Sequence, residues 1–557
     1  MSLLNNTQNK TVIIPAAGRV PEGVLSLSNI ACPALIPVAG RPVIYWTINY
    51  LRSIGLKKFI IAVSRRGMFV EDFVDCAFGQ DCAIDYIVPS HDGGVGTTVK
   101  ELLDLVETKS ALVVLGDTSF QFDDATLLNA AKPFVLVHPV ESSYRWCIAE
   151  SNGEGFVKCF HDKEPDLPAP LDALIGVYFF PDVASAKDAA DKAIEQSSPN
   201  KRVELSAILD NLRVETPIKV VRTGDWLDVG NPDKQALSHQ TLLQKRAFNE
   251  LQIDTTLGTI TKRSRNVEKF IDEINYFRLL PSELSILFPR LLSYSTDWKD
   301  AWMTTEYYGY PTLAQVFVFE NVEPSIWEQV FEHLNKIITE GFMNWQRPLP
   351  KGTLRKMYLE KTRRRLAELK SSPELLELVN HRGTITVNGK DLKNLPLLWD
   401  KLETIFTEME KNTTGHIIHG DLCLTNILYD LRSRICKLID PRGSFGMAGI
   451  FGDMRYDLAK LYHSVYGLYD FIINDLFRVS VTGTDVNLDI RTSPRHKEIC
   501  ERFERVFFPH FNREEVLLIT AMLFASMPAL HYDAPQRQMA MYVRSVQLLN
   551  EFEDLGV

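Results

Sequence analysis

Cysteine is scarce in this 557-residue chain. The eight present (Cys32, Cys76, Cys82, Cys147, Cys159, Cys423, Cys436, Cys500) are scattered without a C-x-x-C pair, which argues against a disulfide framework. No uncharged apolar run approaches about 18 residues, so nothing reads as a membrane span. The polar Met1–Lys10 stretch does not read as a secretory signal. Positive charge is not in excess: Lys plus Arg total 61 against 71 Asp plus Glu, a net charge of −10. Neither half is basic, so duplex nucleic acid and an anionic membrane are poor main partners. Repeats and low-complexity tracts are missing. What is there, 45% hydrophobic and 24% charged residues, is ordinary globular composition. The expectation is a cytoplasmic protein, open to homo-oligomerisation, whose partners are small molecules. Phosphorylated ones fit, because helix N-termini and metal ions hold phosphate without net positive charge.

At roughly 100–200 residues per domain the length predicts three or four domain-sized units. Residues 1–10 read as a disordered start. From there to about 120, strand-like and helix-like segments alternate. Val12–Pro15 is a buried-strand run, residues 43–54 carry Ile44, Ile48 and Leu51 at helical spacing with Gly55 as a stop, and Phe59–Val63 and Ala111–Leu115 are further apolar strands. This alternation predicts a parallel sheet in an α/β domain. Pro232–Leu251 reads as a polar bridging helix, which places a boundary near residue 250. A strand near Gly258–Lys262 and a helix bearing Val267, Phe270, Ile271, Ile274 and Phe277 follow. Beyond Pro324 the pattern is amphipathic helix, interrupted at Thr384–Val387 and by three short strands in His416–Asp440.

Ligands of parallel sheets bind at strand C-termini, and two segments fall there. One is Ile13-Ile14-Pro15-Ala16-Ala17-Gly18-Arg19 with Leu35-Ile36-Pro37-Val38-Ala39-Gly40-Arg41-Pro42, a small-residue turn whose backbone N–H groups could meet a phosphate. A plain structural turn reads equally well. The other is the pair Asp117, after a strand, and Asp228, in Trp226-Leu227-Asp228-Val229-Gly230. Two carboxylates converging there could hold Mg²⁺, although each alone reads as a cap or turn residue.

Together these segments resemble the sugar-phosphate nucleotidylyltransferases, in order from about Lys10 to Leu242. The series includes Gly94-Val95-Gly96-Thr97, Leu115-Gly116-Asp117, Gly155-Phe156-Val157-Lys158, Asp162-Lys163-Glu164-Pro165, Leu174–Phe180 and Glu204. The resemblance implies a Rossmann-like domain over 11–250 that uses CTP, UTP or dTTP. Its nucleotide and sugar-phosphate contacts would be Ala17, Gly18, Arg19, Gly96, Thr97, Lys163 and Glu204, with Asp117 and Asp228 on the metal. The chain departs from the family in the signature loop, where Glu22 stands for an arginine and Pro33 for a lysine. Those cations stabilise the transferred phosphates. Either Arg19, Arg41 or Lys163 substitutes, or this half binds a nucleotide or sugar without turning it over.

The second half carries His416-Ile-Ile-His419-Gly420-Asp421-Leu-Cys-Leu-Thr-Asn426, then Lys437-Leu-Ile-Asp440-Pro-Arg442-Gly443. Phosphoryl transfer needs an acid to orient the attacking hydroxyl and two metal-binding groups. An Asp, an Asn five positions on and a further Asp after a strand is the kinase arrangement. Asp421 is thus the expected catalytic residue, with Asn426 and Asp440 as metal ligands.

This half resembles the aminoglycoside phosphotransferase and choline kinase superfamily, which has a protein-kinase-like α+β fold. The resemblance implies an N-lobe of about 251–320 and a helical C-lobe of about 321–557. It also implies ATP contacts from Lys262 paired with Glu273, and a hinge at Met303–Gly309 that includes Glu306 and Tyr308. His419 is expected to hold the catalytic loop, and Asp457 to steady it or cap a helix. Arg442, unusual beside Asp440, is a candidate to meet an anionic acceptor. The aromatic helical stretch Tyr462–Phe477 should line the acceptor pocket or serve as core. The combined expectation is an ATP- and Mg²⁺-dependent kinase of a sugar, polyol or amino-alcohol hydroxyl. It is fused to a domain that activates or merely binds the phosphorylated product, in the synthesis of bacterial surface-polysaccharide precursors.

Overall fold

The computed structural model describes residues 10–18, 32–38, 41–64, 68–79, 81–90, 93–198, 201–224, 226–228, 249–254, 256–320 and 322–555. The chain divides into two compact units, Met1–Leu242 and Leu243–Val557, where length alone predicts three or four.

The first unit is built on a nine-stranded sheet. Its parallel core comprises β1 (Lys10–Pro15), β2 (Lys58–Ala62), β3 (Ala83–Ile87) and β4 (Ser110–Val114), in the order β4-β1-β2-β3. Val12, Ile13 and Ile14 of β1 are fully buried, so both faces of this strand are covered. The covering helices include α1 (Val43–Ser53) and α2 (Val95–Asp104). In α1 the apolar residues Ile44, Ile48 and Leu51 fall on one fully buried stripe, and the chain leaves the helix through Gly55 at φ 95°. Beyond β4 the sheet turns antiparallel through the long strand Leu171–Phe180, which pairs with β4 on one side. The strands Cys147–Ser151 and Val157–Asp162 extend this end of the sheet. A two-stranded ribbon, Thr118–Phe120 with Trp226–Asp228, sits just past β4 in the chain.

The second unit opens with a four-stranded antiparallel sheet: β5 (Asn249–Asp254), β6 (Thr259–Ser264), β7 (Leu291–Ser295) and β8 (Trp302–Glu306), ordered β5-β6-β8-β7. The helix α3 (Val267–Leu279) lies between β6 and β7 in the chain and packs Phe270 and Ile274 against Met303 of β8. The rest is largely helical, with Arg513–Ser526 buried along its whole length from Val516 onward.

Several elements differ from the sequence reading. The bridging helix expected over Pro232–Leu251 lies mostly outside the described residues, and its end is strand: Asn249–Asp254 alternates apolar and polar and pairs with β6. Among the described residues, five strands beyond Pro324 fall where the sequence pattern predicts helix: Gln346–Pro348 and Phe451–Gly452, which both pair with Thr414–Ile417, and three more. Lys390–Lys393 pairs with Thr384–Val387. Phe477–Thr482 and Asp485–Ile490 form a hairpin turning at Gly483, φ 61°, and its burial alternates with period two. The Tyr462–Phe477 stretch is therefore not one helix: it breaks at Leu468, which has φ 63°, and Phe477 begins a strand. Lys10 belongs to β1 rather than to a disordered start.

Candidate functional site

In the first unit the site forms where strands end. β4 runs out at Gly116 and Asp117. A Cβ on Gly116 would lie 2.9 Å from that of Ala16, so glycine lets this turn touch the end of β1. Beyond it lies a cavity of about 210 Å³ whose lining includes Asp117, Trp146, Asp162, Lys163, Glu204 and Trp226. Burial raises the Asp117 carboxyl above its ordinary value. A carboxylate desolvated in a cavity is a ready partner for a cation, so Asp117 fits the metal role. The side chain of Asp228 lies outside the described residues, but its backbone pairs with Thr118, one position from Asp117. Lys163 is held at φ 56° and its N–H donates to Trp146 O at 2.9 Å, which fixes the turn carrying its ammonium.

The other expected contacts fall differently. Val95 lines the cavity, but Gly96 and Thr97 do not. Gly96 packs against the Val203–Glu204 backbone, where a Cβ would come within 2.8 Å of Val203 O, and the Thr97 hydroxyl donates to Gly94 O at 2.8 Å. Both shape the start of α2 and so support Glu204 from behind. Ala17 and Gly18 end the described part of the β1 turn and are not in the lining. Arg19 and Glu22 lie outside the described residues. Pro33 begins a buried 3-10 turn, whose preceding Cys32 Sγ donates to Ala16 O at 3.3 Å. Of the cations that could replace the missing pair, Lys163 reaches the cavity, while the Arg41 guanidinium stacks 4.0 Å from the Tyr45 ring. Sequence reasoning overlooked Trp146, whose ring lies 5.1 Å from that of Trp226. A tryptophan directly after the polar run Glu141–Arg145 is its available signal.

The second unit gathers its residues from distant parts of the chain. Lys262 on β6 is 9% exposed. Its Nζ donates to Glu273 on α3 at 2.8 and 3.0 Å and to Asp440 at 2.8 Å. Burial lowers the Lys262 ammonium, but Asp440 and Glu273 outweigh it and the net direction is upward. Asp440 follows the strand Ile435–Leu438 and adopts φ 57°. Gly443 lies at φ 64° where a Cβ would stand 2.0 Å from Asp272 O, so this loop runs directly against α3.

Asp421 sits on a loop fixed from below. Asp457, fully buried, accepts the N–H groups of His419 and Gly420 at 2.6 and 2.9 Å. The His419 ring stacks on Phe288 with centroids 6.0 Å apart, and burial takes its imidazole down to about 4. It is neutral at physiological pH, and its Nδ1 accepts from the Asp421 N–H at 3.2 Å. Asn426 Nδ2 donates to Asp421 O at 2.9 Å, and Asn426 O accepts from the Ile439 N–H at 3.0 Å, which ties the Asn426 and Asp440 segments together. Burial raises the Asp421 carboxyl, yet Lys460 and Arg442 pull it well below the carboxylate range; Lys460 Nζ is 2.8 Å from Asp421 Oδ1. The structure thus brings together Lys262, Glu273 and Asp440, and separately links Asp421 to Asn426. The carboxylate of Glu306 is engaged locally, accepting from the Arg290 N–H and the Tyr308 hydroxyl, both at 3.0 Å. Lys460, one turn after Tyr456 in the helix Met454–Val465, is a site residue that the sequence pattern does not single out.

Residues 24–245 match the nucleotidyl transferase family model. A low-salt glycan biosynthesis nucleotidyltransferase of Haloferax volcanii is 24% identical over 229 residues, 39% of this chain and 61% of that protein. A D-glycero-alpha-D-manno-heptose 1-phosphate guanylyltransferase of Campylobacter jejuni is 26% identical over 130 residues, 23% of this chain and 58% of that protein. The chain therefore spans about three-fifths of the length of these two relatives. Among solved structures, a UDP-glucose pyrophosphorylase complexed with UDP-glucose aligns over 42% of this chain and 99% of its own, with a TM-score of 0.37 and 16% identity. The first unit carries a nucleotidyltransferase domain of α/β, Rossmann-like fold. No helix among the described residues is long and apolar enough to cross a membrane.

Proposed function

We propose that the chain couples two phosphate chemistries: an ATP-dependent kinase of a small alcohol in the second unit, and a sugar-phosphate type nucleotidyltransferase in the first. The observation that supports the kinase most directly is Lys262 held between Glu273 and Asp440, with Asp421 braced on a loop by Asp457. In this reading Lys262 binds the α- and β-phosphates of ATP. Asp421 orients the acceptor hydroxyl and takes its proton as the oxygen bonds to the γ-phosphorus and ADP leaves. Asn426 and Asp440 fit Mg²⁺. The Asn426 amide nitrogen is used by Asp421 O, which leaves its carbonyl oxygen to accept, and only one Asp440 oxygen is given to Lys262. Bound there, Mg²⁺ would neutralise the phosphate charge.

In the first unit Asp117 and Asp228 would hold the metal, and Lys163 would meet the phosphate of the sugar phosphate, one of whose oxygens bonds to the α-phosphorus of a pyrimidine or other nucleoside triphosphate as pyrophosphate leaves. The family match and the two named relatives support this reading. A second reading, a binding module without turnover, draws support from Pro33, which places a buried turn where a phosphate-binding cation would stand. The test is thermal stabilisation of the full chain by ATP, GTP, CTP, UTP and dTTP, with and without Mg²⁺, repeated with Lys262→Met and Asp117→Asn. Two separable responses, each lost in one variant, are expected. A single response lost in Lys262→Met alone would leave nucleotide binding to the second unit only, two responses without release of pyrophosphate would favour the binding-module reading, and no loss in Lys262→Met would overturn the kinase.

A further inference from the structure

Beside Asp421 the second unit concentrates positive charge without matching carboxylates. Tyr456, on the helix Met454–Val465, is 1% exposed. Its hydroxyl accepts from Arg442 Nη1 at 2.8 Å, and Lys361 Nζ lies 5.4 Å from its ring centroid. One turn on in the same helix, Lys460 reaches Asp421 at 2.8 Å. Arg365, one turn beyond Lys361 on the helix Lys361–Ala367, donates to Ser526 O and Oγ at 3.3 Å. Among the described residues no carboxylate lies within ion-pair distance of Lys361, Arg365 or Arg442. The acid nearest Arg365 and Arg442 in effect, Asp421, is already paired with Lys460.

The electrostatics agree with this count. Burial lowers the Lys361 ammonium, and Arg442, Arg365 and Lys460 push it further, to about 8. Burial would raise the Tyr456 phenol, but Arg442, Lys361 and Lys460 overcome it and bring it down to about 8. Lys269 is likewise lowered, by burial and then by Arg442, Arg365 and Arg364. Like charges gathered out of water oppose folding. Such an arrangement is stabilised when an anion completes it, and strongly perturbed groups of this kind cluster at functional sites.

We propose that Lys361, Arg365, Arg442 and Tyr456 form a site for a carboxylate or phosphate group on the kinase acceptor, so that the acceptor is an anionic alcohol whose hydroxyl reaches Asp421. Anion binding itself follows from the cation cluster alone; its assignment to the acceptor rests on the kinase reading. Arg442 and Lys361 would hold the oxyanion, and the Tyr456 hydroxyl would give it a hydrogen bond. Lys460, between Asp421 and this cluster, would set the spacing between the anionic group and the reacting hydroxyl. A neutral polyol or a cationic amino alcohol would leave the cluster uncompensated.

The experiment is equilibrium dialysis of the full chain with radiolabelled sulfate, the nucleotide site being filled with Mg²⁺ and a non-hydrolysable ATP analogue. A saturable sulfate equivalent is expected that is weakened at least tenfold in Lys361→Met; any further equivalent, at the sugar-phosphate site of the other unit, is told apart by its loss in Lys163→Met. Lys361→Met removes a cation that Arg442, Arg365 and Lys460 repel, so its melting temperature should not fall, and lost sulfate binding with an unchanged melt cannot be ascribed to misfolding; Lys361→Gln gives a second check. Glycerate and glycerol 3-phosphate displace the label and glycerol does not; which anion displaces it better identifies the group as carboxylate or phosphate. No saturable sulfate, or binding undiminished in Lys361→Met, overturns the site. Transfer of labelled phosphate from ATP to alcohols is read separately. Sulfate binding without transfer to any alcohol refutes the kinase assignment and leaves the anion site standing. Transfer to neutral alcohols alone refutes the anionic acceptor and leaves the kinase standing.

Discussion

Lys262 and Asp440, 178 positions apart in the chain, meet at 2.8 Å, and the same ammonium reaches Glu273 at 2.8 Å. One buried cation therefore joins the antiparallel sheet, the helix α3 and the loop after Ile435–Leu438. Lys262→Met would leave two carboxylates facing each other without it. We expect kcat for ATP-dependent transfer to fall about 10²–10³-fold, the scale of losing one preorganised charge contact. A steady-state assay with ATP as the varied substrate checks this, and activity within a factor of three of the parent would remove Lys262 from the phosphate site.

Asp421→Asn keeps the shape of the loop, since Asp457, His419 and Asn426 hold it through backbone atoms. ATP affinity should be unchanged while phosphoryl transfer drops about 10²–10⁴-fold, the range for removing a general base. Isothermal titration with Mg²⁺–ATP beside a turnover assay separates the two effects. A variant that turns over normally would show that Asp421 does not handle the proton.

In the first unit, Lys163→Met should raise KM for the sugar phosphate by at least about tenfold with a smaller change in kcat, because removing a contact made equally in ground and transition states leaves kcat largely intact. Asp117→Asn should instead abolish Mg²⁺-dependent pyrophosphate release. If both variants release pyrophosphate as the parent does, the cavity lined by Asp117 and Lys163 is not where turnover occurs.

Much of this was legible in the sequence because the signals are local. The strand alternation, the eleven-residue step from Lys262 to Glu273 and the Asp421–Asn426–Asp440 spacing each survive without tertiary knowledge. What was not legible depends on packing. Phe477–Ile490 hides a hairpin inside a helical stretch of chain, and its period-two pattern was outweighed by the aromatic residues before it. Gly96 and Thr97 bear the expected motif but spend it on the start of α2. The cation cluster around Tyr456 draws Lys361 from 95 residues away (456 minus 361), and no spacing rule links the two.

Gly443 tests the closeness of that loop to α3. With φ 64° and Asp272 O 2.0 Å from where a Cβ would stand, Gly443→Ala should destabilise the protein by about 1–3 kcal/mol from backbone conformation alone, with the clash adding to it. Denaturant unfolding measures this. Gly389→Ala, also at positive φ (77°) but with open space around its Cβ, should show the backbone cost without the clash. Equal losses in the two variants would mean that the loop yields and does not lie firmly against the helix.

The second unit should also be acid-labile. Burial takes His419, His496 and His531 each down to about 4. A base whose folded pKa is depressed is neutral in the native state while the unfolded chain takes up its proton near the ordinary value of about 6.5. Stability is therefore fully present above about 6.5 and is lost progressively as pH falls toward 4. His496 is a clean reporter, since it lies outside the proposed catalytic set and both ring nitrogens are used by the neutral form. Nδ1 accepts from the Ser493 N–H at 3.1 Å, and Nε2 lies 3.0 Å from Phe317 O, to which it donates. Potentiometric or calorimetric linkage between pH 6.5 and 4 should show His496→Gln taking up about one proton fewer on unfolding than the parent. An unchanged proton count would mean that His496 is already charged in the folded protein, and that the packing of Phe317 and Phe471 around its ring does not exclude water.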